Sequence, residues 1–146
     1  MEVNLIAVLL ATVAAFIIGG FWYSPFLFGN AWTSAMGFNE KEMKKKGVAK
    51  SYILNFIATL IMAYVFAHIL ALLKVVDLLE SLQAAFWIWL GFIATVGMGS
   101  VLWENKPLKL YFINVLYYLV MLVAMAAVIT VFSDNSIYGA FLPSPT

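Results

Sequence analysis

Few side chains in this sequence are of a type that carries out chemistry. The chain of 146 residues contains one histidine and no cysteine, so it excludes a thiolate nucleophile, a disulfide framework and a cysteine metal site. The histidine, His68, lies in an apolar run without a second histidine or a carboxylate to complete a metal site. No nucleophile–base pair is evident either. We therefore expect no catalytic residue, no metal site and no cofactor, and we expect that the protein is not an enzyme.

Two asparagines inside apolar runs, Asn55 and Asn114, are candidate binding residues. Hydrogen bonding between helices would explain them, at about 0.6–2 kcal/mol each. The alternative is a polar pair facing a shared cavity, because an apolar concavity with a few polar groups is the usual small-molecule site. Aromatic residues near the same level would add flat apolar surface, although they would also fit an ordinary interfacial belt. The predicted ligand-binding residues are Trp22, Tyr23, Trp32, Asn55, Trp103, Asn114 and Tyr118.

Four long apolar runs must position these side chains. The chain is 65% hydrophobic and 10% charged, whereas a soluble domain has about 25% charged residues. Each run has the roughly 20 residues needed to cross a bilayer, where only helices or closed barrels satisfy the backbone. The sequence therefore predicts an all-α membrane protein, with a single transmembrane domain over residues 1–146 and helices at about 3–23, 52–73, 82–103 and 110–132. A cleaved signal peptide begins with basic residues, whereas the first run is preceded by Glu2 and by no basic residue. We therefore expect this helix to remain in the mature protein.

The lysines predict how the helices are oriented. Loop 24–51 contains five lysines and loop 104–109 contains two, whereas Lys74 is the one lysine on the opposite side. The positive-inside rule places both lysine-rich loops in the cytoplasm, so both termini, including the tail 133–146, are expected outside. The formal charge of +1 gives no indication of a nucleic-acid partner. Lys44, Lys45 and Lys46 either set the topology alone or also favour anionic membrane lipids, by about 1 kcal/mol each.

The first loop is predicted to contain an interfacial amphipathic segment. Ser24 and Gly37 bracket a short helical pattern with Phe28 and Trp32 on one face. A second short helix is predicted to begin at a capping box formed by Asn39 and Glu42 and to end at Gly47.

The first run also carries a row of small residues at i, i+4 spacing, which is typical of close helix packing. This row could pack within one bundle or form a homodimer contact. It consists of Ala7, Ala11, Ala15 and Gly19.

The even-numbered runs share a pattern that indicates an internal repeat. Each of these runs contains a Tyr-x-x-Asn segment, Tyr52 to Asn55 in one and Tyr111 to Asn114 in the other. In both runs a leucine and a methionine follow the asparagine at the same spacing. The repeat predicts two similar helical hairpins, related by a rotation about the membrane normal. Asn55 and Asn114 would then lie at equal depth, both turned inward.

The opening motif carries a resemblance to a known family. The segment Gly19-x-x-Trp22-Tyr23-Ser24-Pro25, with Phe28-Gly29-x-x-Trp32 after it, resembles the start of a family of small bacterial four-helix integral membrane proteins of unknown function. The resemblance covers about residues 4–132. It implies four helices and a bacterial inner (plasma) membrane, but no activity or cofactor. The chain is also similar in size to the small four-helix multidrug exporters, but its first helix lacks their membrane-embedded glutamate.

These patterns favour a noncatalytic membrane protein that binds a lipid or small hydrophobic molecule, or that serves within a membrane assembly. The alternative is a small dimeric transporter or channel. Ion transport is expected to require ionisable groups within the spans, and apart from tyrosines His68 is the one such residue.

Overall fold

The structure is a computed structural model that describes residues 3–37 and 47–133. In these ranges the chain forms five helices, of which all but the second are long and apolar enough to cross a membrane. The all-α fold with four candidate membrane-spanning helices is confirmed. The predicted Asn39–Glu42 capping box, the cluster of Lys44, Lys45 and Lys46, and the tail from residue 134 onward lie outside the described residues. The helices are α1 (Leu5–Trp22), α2 (Gly29–Met36), α3 (Val48–Leu72), α4 (Leu78–Leu102) and α5 (Leu108–Ser133).

Side-chain caps define where α1 and α4 begin. The Asn4 side-chain oxygen accepts hydrogen bonds from the backbone N–H groups of Ile6 and Ala7, at 2.9 and 3.2 Å. The same side chain donates to the Phe132 carbonyl at 3.0 Å, which ties the start of α1 to the end of α5. At α4, Asp77 accepts from the Glu80 N–H. Both caps satisfy backbone donors that have no partner within the helix.

Helix α5 is the central element of the packing. Helix α1 packs along one side of α5, α4 packs along the other, and α3 packs mainly on α1. Small residues let α1 approach closely: Ala7, Ala11 and Ala15 are fully buried. Met121 and Met125 of α5 lie in the same core, with at most 2% of their surface exposed. The small residues of α1 therefore pack within the molecule, as the first of the two interpretations predicted.

The helix packing does not show the twofold relation that the internal repeat predicts. Under that relation, the extensive α1–α5 interface would have a counterpart between α3 and α4, and no contact of similar extent exists between them in the described part. Asn55 and Asn114 also differ, because Asn55 is exposed and Asn114 is half-buried. The sequence pattern is thus shared between α3 and α5, but α5 is surrounded by helices and α3 lies at the edge.

The first part of α3 stands away from the other helices. Asn55 lies in i, i+4 register with Thr59 and Ala63, which are both buried, yet Asn55 itself is exposed. Phe16 of α1 spans part of this gap, with its ring centroid 6.2 Å from Tyr52 and 5.4 Å from Phe56. The predicted inward-facing position of Asn55 is therefore wrong, because the helix diverges from its neighbours before reaching that residue.

Helix α4 contains a wider turn that the apolar pattern did not predict. Residues Trp89–Ala94 form a π-helix within an otherwise α-helical span. The Trp89 indole donates to the Val115 carbonyl at 2.7 Å, and the Tyr111 hydroxyl donates to the Ala94 carbonyl at 2.8 Å. These two bonds fasten the wide turn to α5 and satisfy a carbonyl at its edge. Such turns are frequent at functional sites.

Candidate functional site

The end of α1 is fixed to the beginning of α5 by two aromatic side chains. The Trp22 indole donates a hydrogen bond to the Ile113 carbonyl at 3.1 Å. The Tyr23 hydroxyl donates to the side-chain oxygen of Asn114 at 2.8 Å. This occurs at the end of the molecule where α1 and α4 finish and α3 and α5 begin. We call it the lysine end, because Lys50, Lys106 and Lys109 are located there.

Aromatic rings pack behind these hydrogen bonds. The Tyr117 ring of α5 lies 5.2 Å from the Tyr23 ring and 6.3 Å from the Trp22 ring, measured between centroids. Gly19 makes this approach possible, because a Cβ atom there would lie 2.8 Å from the Tyr117 hydroxyl oxygen. The glycine and the aromatic pair of the opening motif therefore act together in placing α1 against α5.

The rest of the opening motif forms the turn between α1 and α2. The Gly29 N–H donates to the Ser24 carbonyl at 2.9 Å, and a Cβ atom on Gly29 would lie 2.3 Å from the Tyr23 carbonyl oxygen. The Phe28 ring is 4.6 Å from Trp22, and the Trp32 ring is 5.8 Å from Tyr23. The motif thus forms one folded unit that continues the aromatic cluster from α1 into α2.

A groove of about 320 Å³ lies beside this cluster, between α4 and α5 at the lysine end. Its volume is within the usual range for small-molecule sites. Apolar side chains and two glycines provide much of its wall, and Ser100, Glu104 and Asn114 provide polar groups. The lining consists of Ile93, Val96, Gly97, Gly99, Ser100, Glu104, Tyr111, Asn114, Val115 and Tyr118.

Asn114 connects the aromatic cluster to the groove. Its side-chain oxygen accepts from Tyr23, and the residue also lines the groove. In the ranges 3–37 and 47–133, no residue accepts a hydrogen bond from the Asn114 NH₂ group. Both interpretations of this asparagine therefore apply, since it bonds between helices and faces a cavity. It offers a hydrogen-bond donor to a molecule in the groove.

The structure brings together most, but not all, of the predicted site residues. Asn114 and Tyr118 line the groove, Tyr23 is one hydrogen bond away, and Trp22 and Trp32 form the cluster behind it. Two residues are not brought to the groove. Trp103 is 84% exposed after the last turn of α4 and does not line it. Asn55 is exposed on the diverging part of α3.

Several lining residues were not among the predicted ones. Glu104 stands two residues before Lys106, and nothing in its neighbourhood in the sequence distinguishes it from an ordinary charged anchor at a helix end. The pair Gly97 and Gly99 gave a weak signal, because glycines near a helix end leave room for another molecule. Tyr111 shares a helix face with Asn114 and Tyr118, at spacings of three and four residues, and this face could have been found.

His68 does not contribute to this site. It is exposed on α3, where its Nδ1 atom lies 2.9 Å from the Tyr64 carbonyl oxygen. Within the described ranges, no group of three or more histidine, aspartate or glutamate side chains is arranged to hold a metal ion.

Comparison with known proteins identifies a family but no activity. A family described as a protein of unknown function (DUF1761) matches residues 6–130, so the chain belongs to this family. No curated protein matches the chain, and no solved structure matches it.

Proposed function

We propose that this member of a family of unknown function binds a lipid or another small hydrophobic molecule in the groove between α4 and α5. No chemical step is part of the proposal, and the protein acts either alone or within a membrane assembly. The main observation that supports this proposal is the position of Asn114. Tyr23 bonds the amide oxygen, so that the NH₂ group is available to the groove, whose wall combines apolar side chains with the polar groups of Ser100 and Glu104. The NH₂ group has no hydrogen-bond acceptor among the described residues, and a bound molecule would provide one.

The closed core beyond the groove favours binding over transport. Met121, Leu122 and Met125 follow Asn114 along α5 and have at most 2% of their surface exposed. The groove lining extends along α5 only as far as Tyr118, and these tightly packed side chains follow it in the sequence. This shape supports a bound ligand better than it supports a path between the two membrane surfaces.

The proposal includes a setting and partners. The protein would lie in the bacterial inner membrane, with the lysine end in the cytoplasm and both termini outside. Lys44, Lys45 and Lys46 would bind anionic lipid head groups. A homodimer or a larger complex would form through exposed small residues of α4, such as Gly91 and Thr95, which the internal packing leaves uncovered.

A pair of asparagine substitutions tests the binding site. Asn114→Leu should lose most of the ligand that copurifies in mild detergent, as measured by native mass spectrometry. It should also lose about 0.5–1.5 kcal/mol of stability, because the Tyr23 bond is lost. Asn55→Leu is the matched control, since it changes the same residue type in a span but away from the groove, and it should retain the ligand.

A third variant separates binding from folding. Ser100→Leu fills the groove, and the one hydrogen bond that it removes is to the Gly97 carbonyl of the same helix. It should therefore lose the ligand with little loss of thermal stability. Retention of ligand by both Asn114→Leu and Ser100→Leu, or the absence of any copurifying ligand in the parent protein, would contradict the proposal.

A further inference from the structure

We propose that the groove selects a phospholipid whose head group carries a primary ammonium. In this arrangement Glu104 binds the ammonium, and Asn114 binds an oxygen of the same lipid. The inference rests on the proposed function, which it makes more specific by naming the chemical class of the ligand.

Glu104 provides a negative charge at the mouth of the groove. It follows the last turn of α4, is exposed, and lines the groove. Although Lys106 and Lys109 are near in sequence, no ion pair or hydrogen bond joins either of them, or any other described residue, to the Glu104 carboxylate. A carboxylate with no cationic partner among the described residues is complementary to a cationic group of a ligand, and a charge-assisted hydrogen bond to an ammonium is among the stronger polar contacts.

The turn after α4 holds Glu104 in this position. Asn105 adopts a left-handed conformation with φ of 53°, which asparagine tolerates better than most residues. The Lys106 N–H then donates to the Ser100 carbonyl at 3.0 Å, so the chain folds back onto the end of α4. The closed turn therefore fixes the backbone of Glu104 beside the end of α4, and both Glu104 and Ser100 line the groove.

Asn114 provides the second polar contact, at a greater depth. Asn114 lies six residues after Leu108, the first residue of α5. This spacing places it about 9 Å along the helix from its start. Because Tyr23 occupies the amide oxygen, Asn114 presents its N–H donors to the ligand, which must therefore supply an acceptor. A phospholipid has this order of groups, with an ammonium at the surface and phosphate and ester oxygens below it.

The apolar wall connects the groove to the surrounding hydrocarbon. Ile93 and Val115 line the groove, and Val96 lines it while keeping 73% of its surface exposed. An acyl chain lying along this wall would continue outward into the bilayer, so we identify the ligand as a membrane lipid and not as a free amine. A choline head group has no N–H to donate to a carboxylate, and an anionic head group without a cation would be repelled by Glu104.

A lipid competition experiment tests this selectivity. The purified protein is exchanged into vesicles with equal amounts of phosphatidylethanolamine, phosphatidylcholine and phosphatidylglycerol of identical acyl chains. Retained lipids are then measured by native mass spectrometry. Phosphatidylethanolamine should be enriched on the parent protein, and Glu104→Gln should reduce that enrichment about tenfold, as loss of a charged hydrogen bond implies.

Two further variants serve as controls. Glu104→Asp keeps the charge and should retain part of the preference. Glu80→Gln removes a carboxylate at the opposite end of α4 and should retain all of it.

The possible failures are distinguishable. Retention of lipid without a head-group preference, a preference for another of the three lipids, or an unchanged preference in Glu104→Gln would overturn this inference and leave the proposed function standing. Dodecylammonium serves as a free amine that is not a phospholipid. Binding of this amine without enrichment of phosphatidylethanolamine would also overturn the inference. Retention of no lipid or other hydrophobic molecule by the parent protein would overturn both proposals.

Discussion

One hydrogen bond determines how the groove can interact with a ligand. The Tyr23 hydroxyl and the Asn114 side-chain oxygen are 2.8 Å apart. With the amide oxygen facing Tyr23, the NH₂ group is left for the groove, and this orientation decides whether the groove offers an N–H donor or a carbonyl acceptor. Tyr23 does not line the groove. It acts as a positioning residue from the aromatic cluster on the other side of Asn114.

We predict that Tyr23→Phe weakens ligand retention without filling or enlarging the groove. The variant keeps the ring packing against Tyr117 and Trp32, and loses about 0.5–1.5 kcal/mol of stability with the hydrogen bond. Ligand retention by native mass spectrometry and thermal unfolding in detergent are the measurements. Tyr64→Phe is the control, because Tyr64 is 45% exposed on α3 and its ring lies beside that of His68, away from the groove. Equal ligand retention in Tyr23→Phe and the parent protein would contradict the positioning role.

At the level of single residues, the sequence predicted polar groups but not their surroundings. Asn114 was predicted because a polar side chain in a membrane span needs a partner, whereas Tyr23 was predicted because its ring offers flat apolar surface near the same level. Asn55 was predicted for the same reason as Asn114 and in the same local pattern, yet it is exposed because the start of α3 diverges. Glu104 looked like an ordinary charged residue at a helix end. The difference depends on which helices lie next to each residue, and the sequence around each residue does not contain that information.

The turn between α1 and α2 is the element that organises the lysine end. The two ends of the turn lie close together. The Gly29 N–H donates to the Ser24 carbonyl, and the Phe28 N–H donates to the Trp22 carbonyl. Gly29 is buried between these segments. The turn therefore fixes the angle at which α2 leaves α1, and with it the contact of Trp32 with Tyr23.

We predict that Gly29→Ala destabilises the protein by about 1–3 kcal/mol, as overpacking does. The added Cβ atom would lie 2.3 Å from the Tyr23 carbonyl and 2.7 Å from Ser24 backbone atoms, and backbone cannot rotate away as a side chain can. Gly20→Ala is the control, because a Cβ atom there has no neighbour within 4 Å. This control should be unchanged or slightly more stable, since alanine favours helix. The midpoint of thermal unfolding measures both variants, and equal midpoints would show that the turn is not tightly packed.

The boundaries and the internal geometry of the helices were predicted to different extents. The apolar runs located the spans, but α3 begins at Val48, four residues before the predicted start, and includes Lys50. Hydropathy marks the part in hydrocarbon, whereas helical hydrogen bonds continue into the polar region beyond it. The π-helix Trp89–Ala94 was not predictable, because an apolar run of this composition is equally compatible with α and π turns.

For the molecule as a whole, we predict that Lys106→Cys and Val76→Cys are labelled from opposite sides of the membrane. The sequence contains no cysteine, and both positions are exposed outside the spanning helices at opposite ends of α4. The positive-inside rule implies that an impermeant thiol reagent reaches Val76→Cys from outside intact cells, and Lys106→Cys after permeabilisation. Labelling of Lys106→Cys from outside would reverse the proposed orientation.

The number of spanning helices was predictable, whereas their arrangement was not. Four apolar runs of sufficient length imply four helices, because the bilayer leaves few other structures available. The runs are apolar on all sides, so no amphipathic face indicates which helix is central. The alanine row of α1 identified one packed face correctly, but a similar row containing Gly91 and Thr95 is exposed on α4. A twofold arrangement of two hairpins was consistent with the sequence pattern and is not the packing observed.

The central position of α5 has a consequence for biogenesis. Of the four spanning helices, α5 is the last to emerge from the ribosome. Helix α1 can pair with α3 as soon as both are inserted, because they share an interface. Helix α4 has its main partner in α5 and must wait in the lipid for it. The groove, whose two walls are α4 and α5, is therefore completed late in membrane insertion, after the other three helices are already in place.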